Sequence, residues 1–287
     1  MPADPPPAER RNRVGTFAHR HRTIVLGGLL VGLMIAIAIL APWLGTVDPT
    51  ALAPAQRLRE PSARYWFGTD MLGRDIYSRV IYGSRISLLV GFLVALLAST
   101  AGTLVGAISG FSRRLDPIVM RVMDGLMSIP PLLLAIALMT LTRASVQNVV
   151  IAISVAEFPR VSRLIRGITL SLRDQPYVEA AIASGTPVQA IIWRHIIPNT
   201  LAQLMVNATY VCASAIISES ILSFIGAGTP PTIPSWGNIM AEGRALWEIK
   251  PYVVAFPAVF LCITVLAVNV LGDSLRDALD PRLAKRL

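Results

Sequence analysis

Uncharged runs and short charged segments alternate along this chain. Thr23–Val47, Ile86–Ser112, Gly125–Thr142, Ala144–Ala156 and Pro251–Gly272 carry no charge, and Asn199–Ile225 carries one, Glu219. A helix that crosses a bilayer needs about 20 apolar residues. The pattern predicts six spans, at about 24–44, 86–111, 125–142, 144–159, 200–225 and 251–272. The fourth is short, because Glu157 ends the uncharged stretch early. It is placed near the inner end of its span, within reach of interface water. The reading is an all-α polytopic membrane domain over 23–272, with a polar loop at 160–198. A disordered tail is predicted at 1–22 and a basic tail at 273–287. No internal repeat is visible.

The polar segments have their own local codes. Glu179–Pro198 predicts two short helices. Gly185 takes the left-handed conformation that ends the first. Thr186 then caps the second, with Pro187 at its first position and Gln189 completing a capping box. Pro198 stops it. Within Phe67–Gly91, Ile76, Val80, Ile81 and Leu88 recur at helical spacing with Arg74, Asp75, Arg79 and Arg85 between them. That spacing predicts an amphipathic helix along the outer surface, running into the second span. In Gly226–Lys250, Pro230, Pro231 and Pro234 forbid a helix until Ser235, which caps one starting at Trp236. Trp236 and Trp247 suit a membrane–water interface.

Composition supports the membrane reading. The chain is 54% hydrophobic and 15% charged, with mean hydropathy +0.60. A soluble domain carries about 25% charged residues. The net charge of +9 gains meaning from its location. With the amino terminus inside, inner segments hold 17 of the 26 Lys and Arg residues and outer segments nine. Both termini are thereby expected in the cytoplasm. The positive charge faces anionic lipid and is no nucleic-acid patch. Cys212 and Cys262 lie in apolar runs and are read as small buried side chains.

The stretch Glu179–Pro198, EAAIASGTPVQAIIWRHIIP, resembles the EAA loop of membrane subunits of ABC importers. The general pattern has an aliphatic residue where His195 stands. The version Arg194–Asn199 is similar to that of the dipeptide, oligopeptide and nickel branch. FGTDMLGRDIYSRVIYGSRISLLVG at Phe67–Gly91 looks like a hallmark of the C-type subunit of that branch. Ser220–Gly243 and Asn269–Pro281 are similar to the same branch, so the resemblance covers about 60–282. It implies a type I importer permease bundle of six helices that pairs with a second permease. It also implies two ATP-binding subunits, or one fused ATPase, and an external substrate-binding protein. Glu179, Ala180, Ala181, Gly185, Thr186, Arg194, His195 and Pro198 would then dock on the ATPase. The cargo implied is peptides, with nickel or another small solute as the alternative.

Ionisable and polar residues in spans are candidates for the path. Glu219 falls in the outer third of its span, where a gate would sit, and is expected to face the bundle interior. Asn207, Ser214, Ser218 and Asn269 could line a polar path or bond between helices. Trp236, Asn238 and Glu242 are the candidates for receiving the binding protein.

The chain offers no active site. A phosphate-binding loop needs a Lys after a Gly-rich turn, and neither Lys250 nor Lys285 follows one. ATP and Mg are therefore expected on partner subunits, with no cofactor here. His19, His21 and His195 make no metal set. A secondary transporter would show repeats and several embedded charges, which are not found. A membrane-embedded enzyme fails for want of a site.

Overall fold

The computed structural model describes residues 22–279. Residues 1–21 and 280–287, with most of both predicted tails, lie outside the described residues. Ten α-helices follow in order among the described residues. They are α1 (Arg22–Ile39), α2 (Ile76–Phe111), α3 (Asp116–Met127), α4 (Pro131–Thr140), α5 (Val146–Arg173), α6 (Pro176–Ala183), α7 (Val188–Ile191), α8 (Ile197–Phe224), α9 (Trp236–Gly243) and α10 (Tyr252–Leu279). Among the described residues there is no strand.

Three helical stretches are each long and apolar enough to cross a membrane: α2, the run Val188–Phe224, and α10. The pair α3 and α4 is together long and apolar enough for a fourth, but is bent by 84° at its break, as a broken span or a re-entrant loop would be. A single straight span at 125–142 is therefore replaced by two helices. The physical reason is Pro131, which disfavours helical dihedrals at the residue before it. Pro130 accordingly sits at φ −53°, ψ 133°. Helix α1 is apolar but shorter, and α5, at 28 residues with Glu157 and four arginines, is not apolar enough to be counted with them.

Helix α5 extends beyond the predicted fourth span. The helix does not stop near Pro159 but runs through it to Arg173. Pro159 is buried, and a packed neighbour can hold a helix together across a missing backbone bond. Glu157 is consequently mid-helix, with four arginines on the helix beyond it.

The helices meet at small residues. A Cβ built on Gly102 would come within 2.6 Å of Val161, one on Gly106 within 2.5 Å of the Ser162 carbonyl oxygen, and one on Gly110 within 2.8 Å of Thr169. Both sets of numbers rise together, so α2 and α5 run parallel, backbone against backbone. Small residues at four-residue spacing permit that approach between membrane helices. The opposite holds for α8. Gly91 of α2 faces Ile216, while Ser87, further toward its start, faces Glu219, so α2 and α8 are antiparallel. Val90, Val94, Ala98, Val149, Ile153, Val161, Ile165, Val211 and Ala215 form the shared core.

Residues 67–75 are not helical, which corrects the predicted surface helix. Asp75 is the N-cap of α2, accepting from the Ser78 N–H, and Ile76, Val80 and Ile81 are buried from the first turn on. The segment before it is tied to the loop ahead of α10. Lys250 Nζ donates to Glu60 Oε1 at 2.6 Å and thereby holds that carboxyl below its ordinary pKa. Tyr252 Oη donates to the Arg59 carbonyl at 3.0 Å.

Gly106→Ala is expected to destabilise the purified chain by about 1–3 kcal/mol, because the obstacle is backbone. Gly167→Ala on α5, with nothing within 4 Å, is the control and should be neutral or slightly stabilising. Thermal unfolding in detergent compares them; equal melting temperatures would refute the seam.

Candidate functional site

One end of the bundle carries the hairpin, and its turn is built as a Schellman motif. The Thr186 N–H donates to Ala181 O and the Gly185 N–H to Ile182 O, each at 3.0 Å. Gly185 takes φ +74° as expected, the region glycine enters at no steric cost. Thr186 does not cap the second helix. Its N–H closes the first, and Pro187 occupies the cap position with no side-chain hydrogen bond.

Pro198 does not stop the second helix. After α7 the chain makes a π turn over Ile192–Ile196, with the Ile197 N–H bonded to Ile192 O, five residues back. Pro198 then sits in the first turn of α8. There its missing N–H costs little, and the helix continues to Phe224.

Val178, Ile191 and Ile196 are fully buried and anchor the hairpin to the main core. Glu179, Ala180 and Ala183 face outward, and Arg194 and Pro198 are exposed. Ala181 is half-buried, as is His195, whose ring lies 5.9 Å from that of Tyr177. Ile182, Val188 and Trp193 are also exposed. Trp193 is 61% exposed, and the sequence reading passed it over. Its position one residue before Arg194 in the quoted stretch was the available signal.

The opposite end holds a buried ion-pair network. Arg79 is 1% exposed. Its Nη1 donates to Asp70 Oδ2 at 2.7 Å and to Glu242 Oε2 at 2.5 Å, and its Nη2 to Glu242 Oε1 at 3.0 Å. Arg74 Nε donates to Asp70 Oδ2 at 2.6 Å, and its Nη2 also reaches Glu242. Two cations and two anions balance in one cluster. It joins the loop before α2, α2 itself and α9. Arg74, Asp75 and Arg79, read as the polar side of a surface helix, are structural.

Two of the three candidates for receiving a binding protein are buried in this chain. Trp236 is fully enclosed, with its Nε1 donating to Val80 O at 3.1 Å. It is neither an interfacial anchor nor a free docking side chain. Its apolar ring instead fills a second core with Ile76, Val80, Ile216 and Ile239. Asn238 spends its Nδ2 on Thr229 and on the Pro230 and Ile233 carbonyls. Glu242 keeps its side chain 27% exposed, while bound to both arginines. Ser235 does cap α9, accepting from the Asn238 N–H. Trp247 and Ile249 are exposed nearby.

Glu219 faces the interior and is fully buried. Ser223 Oγ donates to its Oε1 at 2.8 Å and Ser87 Oγ to its Oε2 at 3.3 Å. It thereby ties α8 to α2, enclosed by this chain alone. Ser214 and Ser218 are half-buried on another face, since offsets of five residues and one residue from Glu219 turn the side chain by about 140° and about 100°. Asn207, Ser214 and Ser218 share one half-exposed ridge of α8, and Asn269 is half-buried on α10. Asn207 and Tyr210 border a cavity of about 400 Å³ with Leu164 and Arg276. Ser214 Oγ donates to Glu157 Oε1 at 2.7 Å. Among the described residues no group of His, Cys, Asp and Glu is placed to hold a metal ion.

The helical bundle and exposed hairpin define an integral-membrane permease subunit. The chain belongs to the family of binding-protein-dependent transport system inner membrane components, which it matches over residues 98–285. It is 50% identical over 280 residues to the probable peptide ABC transporter permease protein y4tQ of Sinorhizobium fredii, covering 98% of this chain and 96% of that one. It is 37% identical to the dipeptide transport system permease protein DppC of Alkalihalophilus pseudofirmus, covering 98% and 95%. Identity to the glutathione transport system permease protein GsiD of Pectobacterium atrosepticum is 40%, covering 92% and 88%. In fold it is similar to a chain of the MetNI methionine ABC transporter in an inward-facing conformation. The TM-score is 0.57 at 20% identity, over 71% of this chain and 98% of that one. The fold is that of a type I importer, and the chain is a transport subunit of a bacterial plasma-membrane importer.

Arg79→Ala should cost about 3–5 kcal/mol, because it removes the buried cation that bridges Asp70 and Glu242 and leaves Arg74 alone to balance both. Arg79→Lys should recover part of that. Chemical unfolding of the purified subunit measures both, and a loss below about 1 kcal/mol for Arg79→Ala would show that the network is solvated.

Proposed function

We propose that this chain is one of two permeases of an ATP-driven peptide importer, receiving peptides from an external binding protein. The observation that carries the coupling role is the hairpin. It is anchored by buried Val178, Ile191 and Ile196, and it presents Glu179, Ala180, Ile182, Val188 and Trp193 outward. An exposed apolar patch on an anchored element is the mark of a docking surface. Two ATP-binding subunits, or one fused ATPase, would meet it from the cytoplasm. The peptide cargo rests on the names of the relatives.

ATP binding would close the ATPase pair and carry the hairpins with it. The hairpin is continuous with α8, so its movement reaches the polar ridge of Asn207, Ser214 and Ser218. Transport requires ATP to bind the two states of the complex with different affinity, since only differential binding shifts a population. Both termini and the hairpin lie on the cytoplasmic side in this reading, with the loop around Ile249 outside.

Gly185→Val should uncouple the complex. A β-branched residue at φ +74° is strained, although the space around Gly185 is open. ATP hydrolysis stimulated by the binding protein should persist while uptake falls about tenfold or more, a shift of about 1.4 kcal/mol or more in coupling. Unchanged uptake with normal assembly would sink the coupling role.

Orientation is tested with single cysteines in a background lacking Cys212 and Cys262. An impermeant thiol reagent on intact cells should label Ile249→Cys, and should reach Arg113→Cys only after permeabilisation. The reverse pattern would invert the topology.

A further inference from the structure

We propose that Glu157 is the point inside the path that recognises the ammonium group at the amino end of a peptide. The proposal rests on the peptide-importer reading above. Glu157 lies 11 residues into α5, about 16 Å along the helix axis from its start. It is buried within the bundle, 2% exposed. A carboxylate so enclosed is expensive and is retained where it has a partner or a task.

The buried carboxylates of Glu157 and Glu219 are bonded differently. Both oxygens of Glu219 receive hydroxyl donors from this chain. Glu157 has one oxygen bonded, by Ser214, while its Oε2 is buried and receives no hydrogen bond. The nearby cation is Arg160, whose Nη1 stands 3.7 Å from Oε2, beyond hydrogen-bonding distance. The Arg160 side chain is 58% exposed. A guanidinium so placed screens the carboxylate and can withdraw into water. An arriving ammonium, which brings three donors, can then take its place on Oε2.

A second unfilled acceptor fixes the direction. Asn207 Oδ1 is also buried without a donor. It shares the α8 ridge with Ser214, seven residues away, or about 10.5 Å along the helix. An extended peptide advances about 3.3–3.6 Å per residue, so about three residues span the gap. Both open groups are acceptors and call for a ligand that donates. The ammonium would sit at Glu157, with a backbone N–H further along at Asn207, beside the cavity. A divalent metal fits poorly, because the described residues offer Glu157 no second carboxylate, His or Cys to complete a set of three.

The test uses the assembled transporter in vesicles, driven by ATP and its binding protein. The probe is a tripeptide carrying photo-leucine at its first or its third residue. Illumination during turnover, followed by peptide mapping, should place first-residue adducts near Glu157 and Ser214, and third-residue adducts near Gln203 and Asn207. Glu157→Gln should lower the first-residue adduct and the uptake by about tenfold, the effect of losing one charge-assisted contact. Assembly and ATP hydrolysis should be retained. Ser214→Ala, which keeps the carboxylate, should give a smaller loss of the same adduct and serves if Glu157→Gln does not assemble. Equal loss of both adducts would mark a structural role and overturn the proposal. So would adducts with no preference between the two places, or undiminished uptake by Glu157→Gln. Failure of the unaltered complex to take up any peptide would instead remove the peptide reading itself.

Discussion

Everything in this chain hangs on one close approach, the seam in which Gly102, Gly106 and Gly110 of α2 lie on the backbone of α5. In a bilayer the lipid tails are as apolar as the side chains, so burial of apolar area alone does not draw helices together. Contact has to come from packing, and packing is tightest where no Cβ intervenes. The seam fixes α5 along its hairpin-facing half. Arg166 then reaches Asp116 of α3 through two hydrogen bonds, at 2.5 and 2.6 Å, and Arg163 pairs with Asp124. Charged pairs hold the outer side of α5 while Val161 and Ile165 hold its inner side.

The two ends of the bundle use different physics. At the hairpin end the hairpin itself is anchored by apolar contacts, the ion pairs of α5 are half-exposed, and one face is left open. At the other end polar groups are enclosed and satisfied: the Arg79 network, the Trp236 indole N–H and the hydroxyls around Glu219. A closed, cross-braced end and an open, anchored end suit a subunit that is pushed from one side.

What the sequence made legible was local. Gly185 could be read because its conformation is decided by its own missing Cβ, and Ser235 because a cap needs only the next turn. The exposed face of Glu179 and Ala180 followed from the resemblance. Long-range partners were invisible: Arg79 and Glu242 are 163 positions apart, and nothing in either neighbourhood names the other. The same blindness turned a buried arginine into a surface one and Trp236 into an interfacial residue. The length of α5 was hidden for another reason. A charge and a proline were each taken as the end of a span, and packing against α2 carries the helix itself past both. Pro198 was read as a stop because the π turn ahead of it leaves no mark that a periodicity of 3.6 would reveal.

That π turn also sets a phase. A five-residue return in place of four amounts to one extra residue between the hairpin and α8, which rotates one against the other by about 100°. The open face of the hairpin and the polar ridge of the long helix are therefore registered by a single residue within Ile192–Ile196. Removing one residue there would leave both surfaces intact in composition and turn them a quarter of a revolution out of alignment. In this chain the angular relation between what is grasped and what is moved resides in a count of residues.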